Sequence, residues 1–165
     1  MATTNPPSDA PLRLHGETVR PEWLDYNGHM NVAYYSLVCD HAGDAVMDWL
    51  DLGAAYRART GGTIFAVEAH VTYDRELSLG DPLVVETLAL EAGPRKLRLF
   101  HRLLHAEQGY QAATNEVLLL HVDLNTRRVA PWPDEGRARI DALVEAHARL
   151  PRPPEVGRHV GAPRG

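Results

Sequence analysis

Asp25-Tyr26-Asn27-Gly28-His29-Met30-Asn31 runs without a break into a segment, Val32 to Leu50, whose apolar residues recur at helical spacing. Val32, Tyr35, Val38, Ala42, Ala45, Val46, Trp49 and Leu50 follow the i, i+3, i+4, i+7 rhythm, while Asp40, His41, Asp44 and Asp48 largely fall off it. Asn31 is suited to cap the start, because its side-chain oxygen can accept a free first-turn N–H. Gly53 is suited to the left-handed residue beyond the end. One long helix is therefore expected, reaching nearly 30 Å at about 1.5 Å per residue, enough to cross a sheet.

Upstream, Leu12 to Arg20 alternates loosely and reads as a strand. Pro21 to Gly28 should be irregular, since Pro21 has no N–H to donate and Asn27-Gly28 is a turn signal. Downstream, a short helix over Ala54 to Thr60 precedes four strands: Thr63 to Tyr73, Leu83 to Ala92, Lys96 to Ala106 and Ala112 to Asp123. Gly80-Asp81-Pro82, Gly93-Pro94 and Gln108-Gly109 separate them, which favours antiparallel neighbours. A last helix, Asp134 to Leu150, follows Pro131-Trp132-Pro133, with Asp134 as its cap. The order gives an α+β fold, a long helix against an antiparallel sheet of about five strands, with a C-terminal helix. No second long helix covers the other sheet face, so oligomerisation is expected.

The chain has 165 residues, 44% hydrophobic and 24% charged, which suits one domain over residues 12–150 with tails at 1–11 and 151–165. A formal charge of -5 argues against a nucleic-acid partner. No apolar run approaches a membrane span and the first residues lack the pattern of a signal peptide. The lone Cys39 cannot form an internal disulfide, which fits a cytoplasmic setting.

The chemistry-bearing residues concentrate at the strand-to-helix junction. Asp25, Asn27, His29 and Asn31 lie where free amides and the positive end of a helix dipole would stabilise an oxyanion. Asp25 could attack a carbonyl or deprotonate a water, and Asn27 and His29 could orient the reactants. No G-x-S-x-G elbow is present, and Cys39 falls mid-helix as a packing residue. A thioester suits so sparse a site, because a thiolate of conjugate pKa about 8.5 leaves without a strong general acid. The histidines His29, His41, His70, His101, His105 and His121 have no standard ligand spacing, so no metal is expected.

Val19 to Tyr35, with its Asp-x-Asn-x-His-x-Asn-x-x-Tyr pattern, resembles the signature of hotdog-fold thioesterases, the 4-hydroxybenzoyl-CoA thioesterase-like superfamily. Tyr73 followed by Gly80-Asp81 resembles a second, weaker family motif. The Pro-Glu-Trp-x-Asp-Tyr-Asn-Gly-His-Met-Asn start and the Glu68-x-His70 strand are most similar to betainyl-CoA thioesterases of carnitine breakdown.

The resemblance implies a hotdog fold and an acyl-CoA substrate. It implies no cofactor beyond the CoA of the substrate, and homodimers or tetramers with sites shared between subunits. It makes Asp25 the catalytic aspartate, with Asn27 and His29 beside it and Glu68 as a further acid, Glu76 being the second candidate for that role. Trp23, Tyr26, Asn31, Tyr34, Tyr35, His70 and Glu76 complete a substrate-binding set. Of these, Trp23, Tyr26, Tyr34 and Tyr35 could cage a quaternary ammonium, with Asp40 or Asp44 adding charge. A non-catalytic acyl-thioester sensor and a β-hydroxyacyl-thioester dehydratase are the competing functions.

Overall fold

A computed structural model describes residues 9–163. The long helix α1 covers Val32–Trp49. Asn31 caps it as its chemistry suggests: its Oδ1 accepts the Ala33 N–H at 3.0 Å. At the other end the expectation for Gly53 does not hold. The left-handed residue is Asp51 (φ 54°), and Gly53 instead precedes α2 (Ala54–Thr60). The reason is Asp48, whose Oδ1 reaches over to accept the Ala54 N–H at 3.2 Å. A Cβ on Gly53 would overlap that carboxylate, so any other residue there would displace the Asp48 contact.

The strands are β1 (Leu12–Thr18), β2 (Gly62–Tyr73), β3 (Pro82–Ala92), β4 (Lys96–His105) and β5 (Gln111–Asp123). The first stops short of Arg20, and Pro21–Trp23 forms a 3₁₀ turn with Pro21 at its start. A two-residue strand, β6 (Arg128–Val129), which no pattern in the sequence marks, pairs with the end of β5. The sheet is antiparallel in the order β1-β3-β4-β5-β2, so β1 and β2 are its edges. Register shifts interrupt four of its pairings, and bulges of this kind curl a sheet.

Helix α1 lies on the concave face and packs against β1, β3, β4 and β5. Its N-terminal half joins one apolar cluster with Val19, Trp23, Met30, Leu77, Leu83 and Leu103. Its C-terminal half joins a second with Leu97, Leu99, Leu119, Trp132, Ile140 and Leu143. The last two residues belong to α3 (Asp134–His147), which closes the far end of the same face. Pro133, not Asp134, occupies its cap position. Beyond the end of the β1 pairing, the Ala89 amide is free to donate to His147 Nδ1 at 2.9 Å, and this pins α3 to β3.

The opposite sheet face is not bare. Residues after α3 return across it: the Gly157 N–H donates to Glu116 Oε2 at 2.6 Å, and Gln111 donates to Glu155 at 3.1 Å. A polar ladder runs beside them through Arg13, Glu86, Arg102 and Gln111. No second long helix covers this face, as expected, but residues 155–158, expected as part of a flexible tail, cover part of it. Residues 1–8 and 164–165, within the expected tails, lie outside the described residues. No helix among the described residues is long and apolar enough to cross a membrane.

Ile140 has no exposed surface and lies between α3 and the sheet cluster. Ile140→Ala is expected to cost about 2–5 kcal/mol, the usual range for truncating a buried aliphatic side chain. Urea unfolding measures it; a loss under about 1 kcal/mol would mean that α3 is not part of the core.

Candidate active site

Asp25 and Asn27 shape the loop that carries them. The Gly28 N–H donates to the Asp25 carbonyl at 3.0 Å, and the Asp25 N–H donates to the His29 carbonyl at 2.9 Å. Asp25 Oδ1 accepts the Asn27 N–H at 2.8 Å. Gly28 takes φ 77°, which the sharp reversal requires. Leu24 bridges Met30, and His29 bridges Ser78, so the loop is anchored on two sides. The Met30 N–H donates to the Leu77 carbonyl at 2.8 Å, and the Asn31 N–H to the Trp23 carbonyl at 2.9 Å. The turn-forming role of these residues is real, and it leaves the Asp25 carboxylate half-buried beside the start of α1. The Ala33 amide is taken by Asn31, so an oxyanion here must use other first-turn donors.

Tyr35 stands behind this loop. Burial pushes its phenol pKa up; a hydrogen bond with the Leu77 backbone opposes that, and Tyr110, Glu76 and Asp25 add to the rise. Glu76 and Asp25 are thus close enough to influence one phenol. Glu68 is on the other side of the sheet. A register shift between Ala66 and Glu68 puts Ala66 and Ala69 on the concave face. Glu68 and His70 then line a cleft on the convex face with Lys96, Arg98, Glu116 and Arg158. The chain therefore does not bring Glu68 to Asp25 within one subunit, whereas it does bring Glu76 near.

The four aromatics do not converge on a common cavity. Trp23 is buried, stacked on Tyr34 (5.3 Å, 17°) and covered by the Arg20 guanidinium at 4.9 Å. Tyr26 is 98% exposed at the loop tip. Tyr35 meets Tyr73 edge-on at 5.3 Å. Tyr73, in turn, spans the first turns of α1 through the Val32 carbonyl at 3.4 Å and Ser36.

The cavity beside α1 is lined differently. It has a volume of about 390 Å³ and starts at Ala33, in the first turn after Asn31. Ser36, Leu37, Gly43, Asp40 and Asp44 form its helical wall, and small or apolar residues of β2 and β5 face them. Asp40 and Asp44 are exposed at its rim. Burial pushes the Asp44 carboxyl up, and Asp40 adds to this, partly offset by His41.

His101 and Asn115 face the cavity from β4 and β5. His101 is fully buried, which lowers its pKa to about 4, and it shares a 2.8 Å hydrogen bond with Thr87. Asn115 is 6% exposed, and its Oδ1 has no hydrogen-bond partner. The signal for both was present in the sequence: each is a polar residue in the inward register of an apolar strand. Other candidate ligands are engaged elsewhere, His105 with the Glu107 and Gln108 amides and His121 with Tyr56 and the Ala130 carbonyl.

Gly43 explains how the cavity stays open. It is buried in mid-helix, yet a Cβ added there meets no atom within 4 Å. Glycine in a helix interior costs roughly 0.5–1 kcal/mol against alanine. Gly43→Ala should therefore raise stability by about that amount while narrowing the cavity. Chemical denaturation checks it; a destabilised variant would show that no open space lies over Gly43.

Residues 19–140 match the family model described as the thioesterase-like superfamily. The chain is 40% identical over 152 residues to a betainyl-CoA thioesterase of Pseudomonas aeruginosa, covering 92% of this chain and 96% of that one. Among solved structures it superposes with a TM-score of 0.84 on a Staphylococcus aureus protein solved in complex with CoA, at 28% identity, over 93% of this chain and 98% of that one. A Pseudomonas putida protein provisionally described as a thioesterase superposes with a TM-score of 0.80 at 34% identity, over 93% and 98% of the two chains. With the curled antiparallel sheet, the helix across it and the Asp25 loop in place, the chain belongs to the thioesterase-like superfamily and has the hotdog fold.

Proposed function

We propose that this thioesterase hydrolyses an acyl-CoA thioester whose acyl group carries a quaternary ammonium, betainyl-CoA by its chemistry, to the free acid and CoA. The observation that carries the reading is the acidic rim of the α1 cavity. A trimethylammonium group donates no hydrogen bond. It needs apolar walls for its methyls and negative charge a few ångströms away. Asp40 and Asp44 offer the charge, and Leu37, Ile64, Ala66, Ala69 and Val117 offer the walls. At an effective dielectric of about 20, one carboxylate at about 5 Å contributes roughly 3 kcal/mol before screening. The unpartnered Asn115 Oδ1 adds the negative end of a dipole.

The ammonium of betainyl-CoA is two bonds from the thioester carbonyl, whereas Asp40 lies on the order of 12 Å along α1 from its start, so in this reading a neighbouring subunit supplies the Asp25 and helix N-terminus that face the carbonyl. The Asp25 carboxylate attacks the carbonyl carbon or takes a proton from the attacking water. The developing oxyanion is held by the N-terminal end of the helix. The C–S bond then breaks, and the thiolate leaves without a dedicated acid. Asn27 and His29 position water and substrate, Glu76 is the nearer of the two candidate acids, and no cofactor takes part.

The free edge of β2 supports a homodimer, alone or paired into a tetramer. This twelve-residue strand bonds only to β5, and it exposes Phe65 and Val67. Long apolar edges are otherwise aggregation-prone. A neighbouring subunit joined there is also the means by which Glu68 and His70 would reach a site. A cytoplasmic setting, with Cys39 buried and reduced, completes the proposal.

Asp25→Asn keeps an oxygen for the Asn27 amide, so the loop should survive. Free-thiol release from a panel of acyl-CoAs should fall at least a hundredfold, as loss of a catalytic base typically costs, with the unfolding midpoint unchanged. Parental turnover in the folded variant would sink the mechanism, and wild-type binding without thiol release would favour a sensor.

A further inference from the structure

Where edge strand β1 lies against α1, three side chains converge that the thioesterase reaction does not use. His15 and Glu17 are two apart on β1, so they share a face, and His41 projects from α1. Glu17 Oε1 is 2.8 Å from His15 Nε2 and 2.6 Å from His41 Nδ1. Its other oxygen is held by Arg20 Nη2 at 3.1 Å. The Glu17 side chain is 7% exposed and the imidazoles 22% and 40%, so the carboxylate is fixed while the nitrogens remain reachable from solvent. The two rings meet edge-on at 5.6 Å. Burial pushes the Glu17 carboxyl pKa up, but the hydrogen bonds from His41 and His15 outweigh this and hold it below the ordinary value, so it is ionised at neutral pH.

We propose that His15, Glu17 and His41 form a binding site for a divalent transition metal, with Zn²⁺ the fitting ion, that ties β1 to α1. Two imidazole nitrogens and one carboxylate oxygen are a donor set that borderline ions accept, leaving a fourth position for water. The three ligand atoms lie within 4.8 Å of one another. Tetrahedral ligands at about 2.0–2.1 Å from zinc stand roughly 3.3 Å apart. The Glu17 oxygen therefore needs to move about 0.5 and 0.7 Å further from the two nitrogens, and the nitrogens, within 4.8 Å of each other, need to reach the same spacing, all by side-chain rotation. Each neutral imidazole moves its hydrogen to the opposite ring nitrogen, so no proton is lost. Arg20 on the second Glu17 oxygen keeps the carboxylate monodentate, as outer partners of metal ligands do. Spacing along the chain could not reveal the set, because His15 and His41 are brought together only by the docking of α1 on β1.

The test uses the tag-free full chain, stripped with EDTA, dialysed and titrated with Zn²⁺ and with Co²⁺. The proposal expects one equivalent bound per chain, a raised unfolding midpoint, and the intense visible bands of four-coordinate Co²⁺. His15→Gln and His41→Gln, each checked for folding by circular dichroism, should lower affinity at least tenfold. They lie on different elements, so failure of one to fold leaves the other informative, and the Co²⁺ spectrum of the parent needs no variant. Absence of uptake by the stripped parent, or uptake that survives in the folded variants, would overturn the site.

Discussion

Helix α1 must lie across the concave face with its N-terminus held, and most of the molecule follows from how this is done. The start is fixed by Asn31 on the Ala33 amide and by the Asp25–His29 turn, which is itself bridged to Ser78. From there the helix separates two apolar clusters, one under each half. The turn that stops the helix from fraying also sets the Asp25 carboxylate at its positive end. Stability and chemistry therefore share the same few residues, and a change to the loop acts on both.

The cavity beside the helix shows a different balance. Gly43 weakens the helix and Asn115 leaves a buried oxygen unpaired, which is costly on the order of 1–3 kcal/mol. Such costs persist where a ligand makes use of them. Within one subunit the four aromatics do not converge, because Trp23 is stacked on Tyr34 and covered by the chain's own Arg20. Asp40 and Asp44 remain as the source of negative charge in the proposed recognition of a cationic acyl group, since their i, i+4 spacing puts both on the cavity side of α1.

The helix, the strands and the junction motif were readable in the sequence because each rests on a local rule: periodicity, turn residues, capping. Non-local features were not. The bulge at Ala66–Glu68 shifts the alternation by one residue and sends Glu68 to the convex face, and no pattern in β2 announces it. Residues 155–158 read as a polar tail, yet Glu116 and Gln111 give them partners far away in the chain. Asp48 displaced Gly53 from its expected role by reaching across to α2. His101 and Asn115 were visible as inward polar residues on β4 and β5, but a use for them appears only once the cavity has walls.

Carboxylates at the α1 cavity that recognise a cationic acyl group must discriminate by charge at constant shape. Betainyl-CoA and 3,3-dimethylbutyryl-CoA have the same shape and differ by nitrogen for carbon, hence by one charge. The ratio of their kcat/KM values, in the parent and in the Asp40→Asn/Asp44→Asn double variant, tests this most directly. Recognition by charge predicts at least a tenfold preference for the cation, about 1.4 kcal/mol, that collapses in the double variant. Equal rates in the parent, or a preference that survives the substitutions, would contradict it.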